Sequence, residues 1–230
     1  ERMRAGTRLY LPGELDGYRG AAVYDTRVEV TGETTLEALS RLAGEAGDQV
    51  AALNFASARN PGGGVANGAQ AQEESLARSS ALYDSLVRCP GYYGHHREQR
   101  SLLYSDRLIY SPDVPVYRRD DGSWLVEPVV AAFVTSAAPN RRMTERNRPH
   151  EAGLIAGTLV RRSRAVLAAA ARHGHARLVL GAWGCGVFGN RPGEVAEAFG
   201  RHLAGEFAGV FRHVVFAVLD REGSTRRAFE

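Results

Sequence analysis

Two adjacent carboxylates and two glycine-rich runs are the residues of this sequence best placed to do chemistry. Glu73 and Glu74 close the stretch Asn60–Glu74, NPGGGVANGAQAQEE, in which Gly62, Gly63 and Gly64 are consecutive and Val65 follows. Consecutive glycines expose successive backbone N–H groups, tolerate positive φ and let a phosphate oxygen come close. A helix opening near Gln72 would aim its positive end at the same space. A second turn of similar make-up, Trp183–Asn190 (WGCGVFGN), holds Gly184, Gly186 and Gly189, with Cys185, Val187 and Phe188 between them and Asn190 at its end. Two such turns on one sheet edge suggest a diphosphate held between them. Each turn alone is more often just a tight connection between a strand and a helix.

The carboxylates admit two readings. Acidic residues in a first helical turn commonly offset the helix dipole. They could equally perform acid/base work on a glycosidic bond. A carboxyl beside a bound diphosphate and a second carboxylate is surrounded by negative charge, which favours its protonated form near neutrality. Neighbouring helical residues project about 100° apart, so one can meet the scissile oxygen while the other anchors a nearby hydroxyl.

Several familiar chemistries are excluded. The glycines of the first run are consecutive, so the G-x-G-x-x-G dinucleotide pattern fails. The chain contains no lysine, which removes the Walker phosphate lysine, a Schiff base and a lysine general base. Its net charge of +3 is too mild for a nucleic-acid stripe, and no sequence-specific nucleic-acid binding is expected. The two cysteines, Cys89 and Cys185, lie far apart and outside any metal-ligand spacing, so free thiols in a reducing cytoplasm are expected. No metal site and no cofactor are read from the sequence. Neither a signal peptide nor a membrane-length apolar run is found.

The elements that must position these residues alternate between strand and helix. A strand is expected over Ala21–Val30, followed by a helix from the capping box Thr34-x-x-Glu37 to about Ala46. Gln49–Phe55 is a short apolar run of the kind buried on both faces of a sheet. The loop Ala56–Gly68 leads from it to a helix over Gln70–Arg88. Gly91–Trp124 is the least regular part, with strand-like pieces at RLIYSP and VPVYR. Val129–Thr135 is a strand, Glu151–His173 a long helix, Arg177–Ala182 a strand, Arg191–Phe207 a helix and His213–Leu219 a last strand. Such alternation indicates an α/β domain with a mixed or parallel sheet, in which ligands bind beyond the carboxyl ends of the strands. One domain over residues 1–230 is expected, with 1–35 an N-terminal extension packed on it.

Other residues read more plainly. Cys185 is a small packing residue rather than a nucleophile, and His95-His96 lies on a loop surface with no third metal ligand. Arg141-Arg142 could contact phosphates but reads more plainly as part of a solvated loop. Tyr92, Tyr93 and Tyr104 are core or surface tyrosines. Asn54, Asn60 and Gln72 brace the glycine loop through side-chain bonds to backbone.

The stretch Leu53–Tyr83, LNFASARNPGGGVANGAQAQEESLARSSALY, resembles the signature of the microbial poly(ADP-ribose) glycohydrolase family: three glycines, seven residues, then Gln72-Glu73-Glu74. The resemblance extends to VTSAAPN (Val134–Asn140) and GAWGCGVFGN (Gly181–Asn190). It implies a macrodomain-like fold, a three-layer α/β/α sandwich with a central mixed sheet. It also implies hydrolysis of ribose–ribose O-glycosidic bonds in poly(ADP-ribose), with Glu74 as acid and then base through an oxocarbenium-like species. Glu73 would bind a ribose hydroxyl, and Phe188 would pack on the distal ribose. The diphosphate would lie on Gly62–Val65 and on Gly184–Asn190. Implied partners are poly(ADP-ribose), ADP-ribose and ADP-ribosylated proteins, with the enzyme acting as a monomer. A non-catalytic ADP-ribose reader, a mono-ADP-ribosyl hydrolase and a nucleotide-binding structural domain are the alternatives; the intact Gln72-Glu73-Glu74 speaks against the first.

Overall fold

The computed structural model describes residues 1–44 and 49–230. Its strands are β1 (Arg8–Tyr10), β2 (Arg27–Thr31), β3 (Val50–Phe55), β4 (Leu108–Arg118), β5 (Trp124–Ser136), β6 (Arg177–Gly181) and β7 (His213–Ala217). They form a seven-stranded sheet in the order β1-β4-β5-β3-β6-β7-β2. Pairing is parallel from β5 through β3, β6 and β7 to β2, and antiparallel between β5 and β4 and between β4 and β1. The carboxyl ends of β3, β5, β6 and β7 therefore share one edge. From β3 the chain proceeds to the β4–β5 side and returns to β6 on the other, which leaves a crevice at that edge.

Side-chain alternation sorts the central strands into two cores. Ala51, Leu53, Ala132, Val134, Leu178, Leu180, Val214 and Phe216 belong to one. Val50, Ala52, Ala131, Phe133, Val179, Val215 and Ala217 belong to the other. The helices are α1 (Arg2–Gly6), α2 (Thr35–Ala43), α3 (Gln72–Ser79), α4 (Leu82–Leu86), α5 (Pro90–Glu98), α6 (Arg141–Asn147), α7 (Ile155–Arg172), α8 (Pro192–Leu203) and α9 (Ser224–Arg227). Ile155, Leu159 and Val166 of α7 and Val195 and Phe199 of α8 cover the first core. Leu36, Leu39 and Leu42 of α2 cover the second, together with Leu76 of α3, Leu82 of α4 and Tyr92 of α5. The result is a three-layer α/β/α sandwich with a mixed central sheet, the macrodomain-like architecture. Residues 1–35 supply both edge strands.

The capping box that opens α2 is present, with Glu37 N–H donating to Thr34 Oγ1 (3.0 Å) and Thr34 N–H to Glu37 Oε2 (2.8 Å). The expected end of that helix near Ala46 lies outside the described residues. Elsewhere the boundaries differ from expectation for identifiable reasons. The strand expected over Ala21–Val30 shrinks to β2, because Val23 and Tyr24 donate to the Gly209 carbonyl instead of joining a ladder. The helix expected over Gln70–Arg88 breaks into α3 and α4. Ser80 is extended there and bridges Val116, while Ala81 N–H donates to Pro115. The supposedly irregular middle contains α5 and the eleven-residue β4. Its two strand-like pieces are one strand with a register shift between Ser111 and Val114, where Asp113 has a φ of 48°.

His96 is not on a loop surface. It is fully buried on α5, and its Nε2 accepts the Ser105 N–H at 3.1 Å. Arg141 is buried too, at the start of α6, pairing with Glu145 (3.1 Å) and with Glu194. On α7, the 1%-exposed Arg162 donates to Asp106 (2.8 Å), to the Ala137 carbonyl (2.9 Å) and to the Leu103 carbonyl (2.6 Å). It thereby ties the loop before β4 to the carboxyl end of β5. Removing it strands the buried Ala137 and Leu103 carbonyls, while Asp106 keeps Arg161 at 3.3 Å; each unsatisfied buried acceptor costs about 1–3 kcal/mol. Arg162→Ala is expected to lower the urea midpoint accordingly, and an unchanged midpoint would contradict this role.

Candidate active site

The sequence-predicted carboxylates sit at the crevice edge, in the first turn of α3 directly after β3. Glu73 is 3% exposed and Glu74 8%. Both line a cleft of about 640 Å³, together with Phe55, Ser57, Arg59, Gln72, Tyr104 and the whole of Gly184–Phe188. Its far end is bounded by Thr34, Asp120, Asp220 and Thr225. Among the described residues no cluster of three or more His, Cys, Asp or Glu side chains is arranged to hold a metal ion.

Each carboxylate is held by backbone. Glu73 Oε2 accepts the Ser57 N–H (2.6 Å) and Oε1 accepts Asn54 Nδ2 (3.3 Å), with a weaker stabilising contribution from the Gly62 N–H. Glu74 Oε1 accepts the Gly64 N–H (2.8 Å) and Oε2 the Ala71 N–H (3.1 Å). Burial pushes the Glu73 carboxyl up from an ordinary 4.5 to about 8, reinforced by the charge of Glu74 and opposed by its N–H donors.

The role expected of the triple glycine changes accordingly. Gly64 gives its N–H to Glu74, Gly62 contributes weakly to Glu73, and Gly63 gives its own N–H to the Asn60 carbonyl (3.0 Å). The loop is thus a cradle for the protein's own acids, and none of Gly62, Gly63, Gly64 or Val65 lines the cleft. Gly63, at a φ of 62°, has no room for a side chain, because a Cβ would overlap Glu74 Oε1. Gln72 lines the cleft, yet its amide is engaged by Leu53 O (2.8 Å), Thr35 Oγ1 (3.1 Å) and Phe55 N–H (2.9 Å). It pins α3 to β3 and α2.

The second turn keeps its donors. Gly189 N–H bonds to Gly186 O and Asn190 N–H to Gly184 O, which closes the loop. Asn190 Nδ2 reinforces it by donating to Pro139 O at 2.8 Å, so Asn190 is 2% exposed and, like Gly189, stands behind the cleft wall. Among the described residues the N–H groups of Gly186, Val187 and Phe188 have no partner within the chain. Burial pushes the Cys185 thiol up to about 12, so it carries no thiolate near neutrality.

Sequence reasoning passed over Ser57 and Ala71, whose contributions come through backbone N–H groups and leave no side-chain signature. Tyr104, read from the sequence as a core or surface tyrosine, lines the cleft. Tyr104 has a φ of 60° and lies 6.1 Å from the Phe188 ring and 5.9 Å from the His96 ring.

Two outcomes follow from the carboxylate cradle. Between about pH 4.5 and about 8 the folded chain keeps a proton on Glu73 that the unfolded chain releases. The stability contributed by this group is complete below that window, falls as the pH rises through it and is lost above. Glu73→Gln is expected to remove that slope, and denaturation curves of both proteins across the window would disprove the assignment if their pH dependences matched. Gly63→Ala must displace the Glu74 carboxylate, and misplacing a catalytic group by about 1 Å lowers turnover about 100-fold. Turnover within a few-fold of the parent would refute that constraint.

Comparison with known proteins agrees with this geometry. The family model described as microbial-type PARG, catalytic domain, matches residues 1–119. No curated protein matches the sequence. A structure of poly(ADP-ribose) glycohydrolase from Deinococcus radiodurans in complex with ADP-ribose superposes with a TM-score of 0.92 at 47% identity, over 99% of this chain and 94% of that one. The enzyme from Thermomonospora curvata gives a TM-score of 0.94 at 55% identity, over 99% and 86%. Its complex with the inhibitor ADP-HPD gives 0.91 at 55%, over 99% and 85%. A cleft closed by two backbone-cradled glutamates, on a fold shared along nearly its whole length with these enzymes, places the chain in the microbial-type poly(ADP-ribose) glycohydrolase family.

Proposed function

We propose that this poly(ADP-ribose) glycohydrolase cleaves the ribose–ribose O-glycosidic bond with Glu74 as acid and then base. The observation that carries this assignment is the buried Glu73–Glu74 pair facing a turn of unengaged N–H donors across one cleft. The diphosphate of the terminal ADP-ribose unit lies on Gly186, Val187 and Phe188, whose N–H groups meet its oxygens. The Phe188 ring packs on the ribose beyond it. The adenosine occupies the far end, where Asp120 and Asp220 offer acceptors to its hydroxyl and amino groups.

Glu74 donates its proton to the oxygen of the leaving ribose as the bond from that oxygen to the anomeric carbon breaks. The resulting oxocarbenium-like species is stabilised by the adjacent diphosphate. Water then attacks the anomeric carbon and gives its proton to Glu74, which restores the acid. Glu73 holds a ribose hydroxyl beside the scissile bond. In the free chain the pair's proton sits on buried Glu73 up to about 8, and it must pass to Glu74 before the bond breaks. In this scheme every catalytic proton is carried by the chain's own side chains. The product is free ADP-ribose, so the reaction reverses ADP-ribosylation of proteins. A monomer acting in a reducing cytoplasm, within the response to DNA damage, fits this activity.

Glu74→Gln preserves the shape of the pair and removes the acid. Loss of a general acid lowers turnover by about 100-fold to about 10,000-fold, whereas ADP-ribose affinity should stay within a few-fold of the parent. Purified protein and variant are incubated with poly(ADP-ribose), and products are resolved by chromatography while ADP-ribose binding is followed by calorimetry. Undiminished release of ADP-ribose by the variant would remove Glu74 from the mechanism.

A further inference from the structure

We propose that the carboxylate end of the cleft continues outward into a second anion subsite. It is formed by Arg59, Arg97 and Arg142 around Tyr104, and it takes the diphosphate of the ADP-ribose unit on the leaving-group side of the scissile bond. The inference rests on the placement of the terminal unit given above.

The cleft is electrically lopsided. At its far end Glu33 is neutralised by Arg41 (2.7 Å), which leaves Asp120 and Asp220 as the facing charges. The opposite end has cations without counterions. Arg59 is exposed, lines the cleft and lies two residues beyond Ser57, whose N–H holds Glu73. Arg97 crosses from α5 to donate to the Arg59 carbonyl at 2.9 Å, and Arg59 itself donates weakly to Gln99 O at 3.4 Å. Arg142 flanks the other wall. Its N–H donates to the Phe188 carbonyl (2.9 Å), and its Nε lies 3.6 Å from where a Cβ of Gly189 would stand. Among the described residues none of these three guanidinium groups has a carboxylate within ion-pair distance, whereas Arg141 and Arg162 close by are both paired. Of the neighbouring acids, Glu145 is engaged by Arg141, and Glu98 at the end of α5 makes no ion pair among the described residues.

Tyr104 lies between the two walls, and its backbone is forced into position. A bulky residue at positive φ persists only where its surroundings over-determine it. Here Leu103 O is held by Arg162 (2.6 Å), Leu102 O by Asn140 N–H (2.9 Å) and Ser105 N–H by His96 (3.1 Å). Between the arginines the ring offers an apolar face to a ribose or a base, in the way aromatic platforms serve flexible polyanions. Poly(ADP-ribose) presents a diphosphate in every unit, so the unit beyond the scissile bond brings two negative charges to this rim. Unpaired exposed arginines suit such a ligand better than they suit the neutral ribose held at the catalytic position.

The test uses Glu74→Gln protein, so that the ligand survives, and compares ADP-ribose with a two-unit ADP-ribose chain by calorimetry at about 50 and about 200 mM salt. The two-unit chain is expected to bind tighter and with the steeper salt dependence. Adding Arg97→Ala and Arg142→Ala, which lie outside the cleft lining, should lower its affinity about ten-fold and flatten that dependence, with ADP-ribose affinity retained. Because Arg97 also ties loops together, Arg142→Ala alone serves as the second variant and should give a smaller loss in the same direction. Unchanged two-unit affinity in both variants would overturn the subsite. So would a DNA oligonucleotide of equal charge that binds the rim as tightly as the two-unit chain. Failure of the Glu74→Gln protein to bind ADP-ribose at all would instead reject the placement of the terminal unit, and the subsite with it.

Discussion

Two carboxylates withdrawn from water must be supplied with hydrogen-bond donors, and much of the local structure answers that requirement. A buried charge without partners costs several kcal/mol, and side-chain donors would crowd a sugar that must reach the same acids. Backbone N–H groups are the compact alternative, and Ser57, Gly62, Gly64 and Ala71 supply them. To fold the loop this tightly, the chain turns through positive φ at Gly62 and Gly63, and Gly63 lies directly against both carboxylates. Gly63 is therefore a steric demand of the acids themselves, whereas Gly62 and Gly64 are kept small by Tyr83 and Ala69. Gln72 completes the frame by locking the start of α3 to the end of β3, so the acids move only if the sheet moves.

The parallel arrangement of β5, β3, β6 and β7 provides the rest of the frame. It brings four strand ends to one edge and places the acid-bearing loop after β3 opposite the donor-bearing turn after β6. The two glycine-rich segments look alike in composition, yet they divide the labour. One spends its N–H groups on the protein, and the other leaves three of them available. That division follows from what lies behind each loop: carboxylates behind the first, and Asn190 stitching the second to Pro139.

Much of this was readable in the residues. The capping box at Thr34 and Glu37 is a local signal with a local mechanism, and the apolar run before Phe55 could hardly be other than a buried strand. The pairing of Gln72-Glu73-Glu74 with three glycines located the acids. Other features depend on contacts distant in sequence. Nothing local marks Ser80 as a break, because its extended backbone is set by Val116 on another element. His96 and Arg162 look like surface residues in helices rich in polar side chains, and their burial arises only once Ser105, Leu103 and Ala137 arrive. The positive φ of Tyr104 has no counterpart in its residue type. The direction of the Gly63 and Gly64 donors is likewise set by partners outside the glycine run, the Asn60 carbonyl and the Glu74 carboxylate.

The two edges of the sheet, described above only as topology, bear on how this molecule can be made. β2, near residue 27, closes the sheet by pairing with β7, near residue 213. Beside the end of β7, Asp220 completes the far wall of the cleft. An early strand must therefore wait, unpaired, until residues 213–217 have emerged from the ribosome, and non-local pairing of that kind is slow and exposed to misassociation. Arg27 and Glu29 on the waiting strand are charged, as edges that must avoid strange partners commonly are. A chain that stops before β7 lacks the wall formed by Ala217 to Asp220, so the cleft is complete only once β7 has joined the sheet.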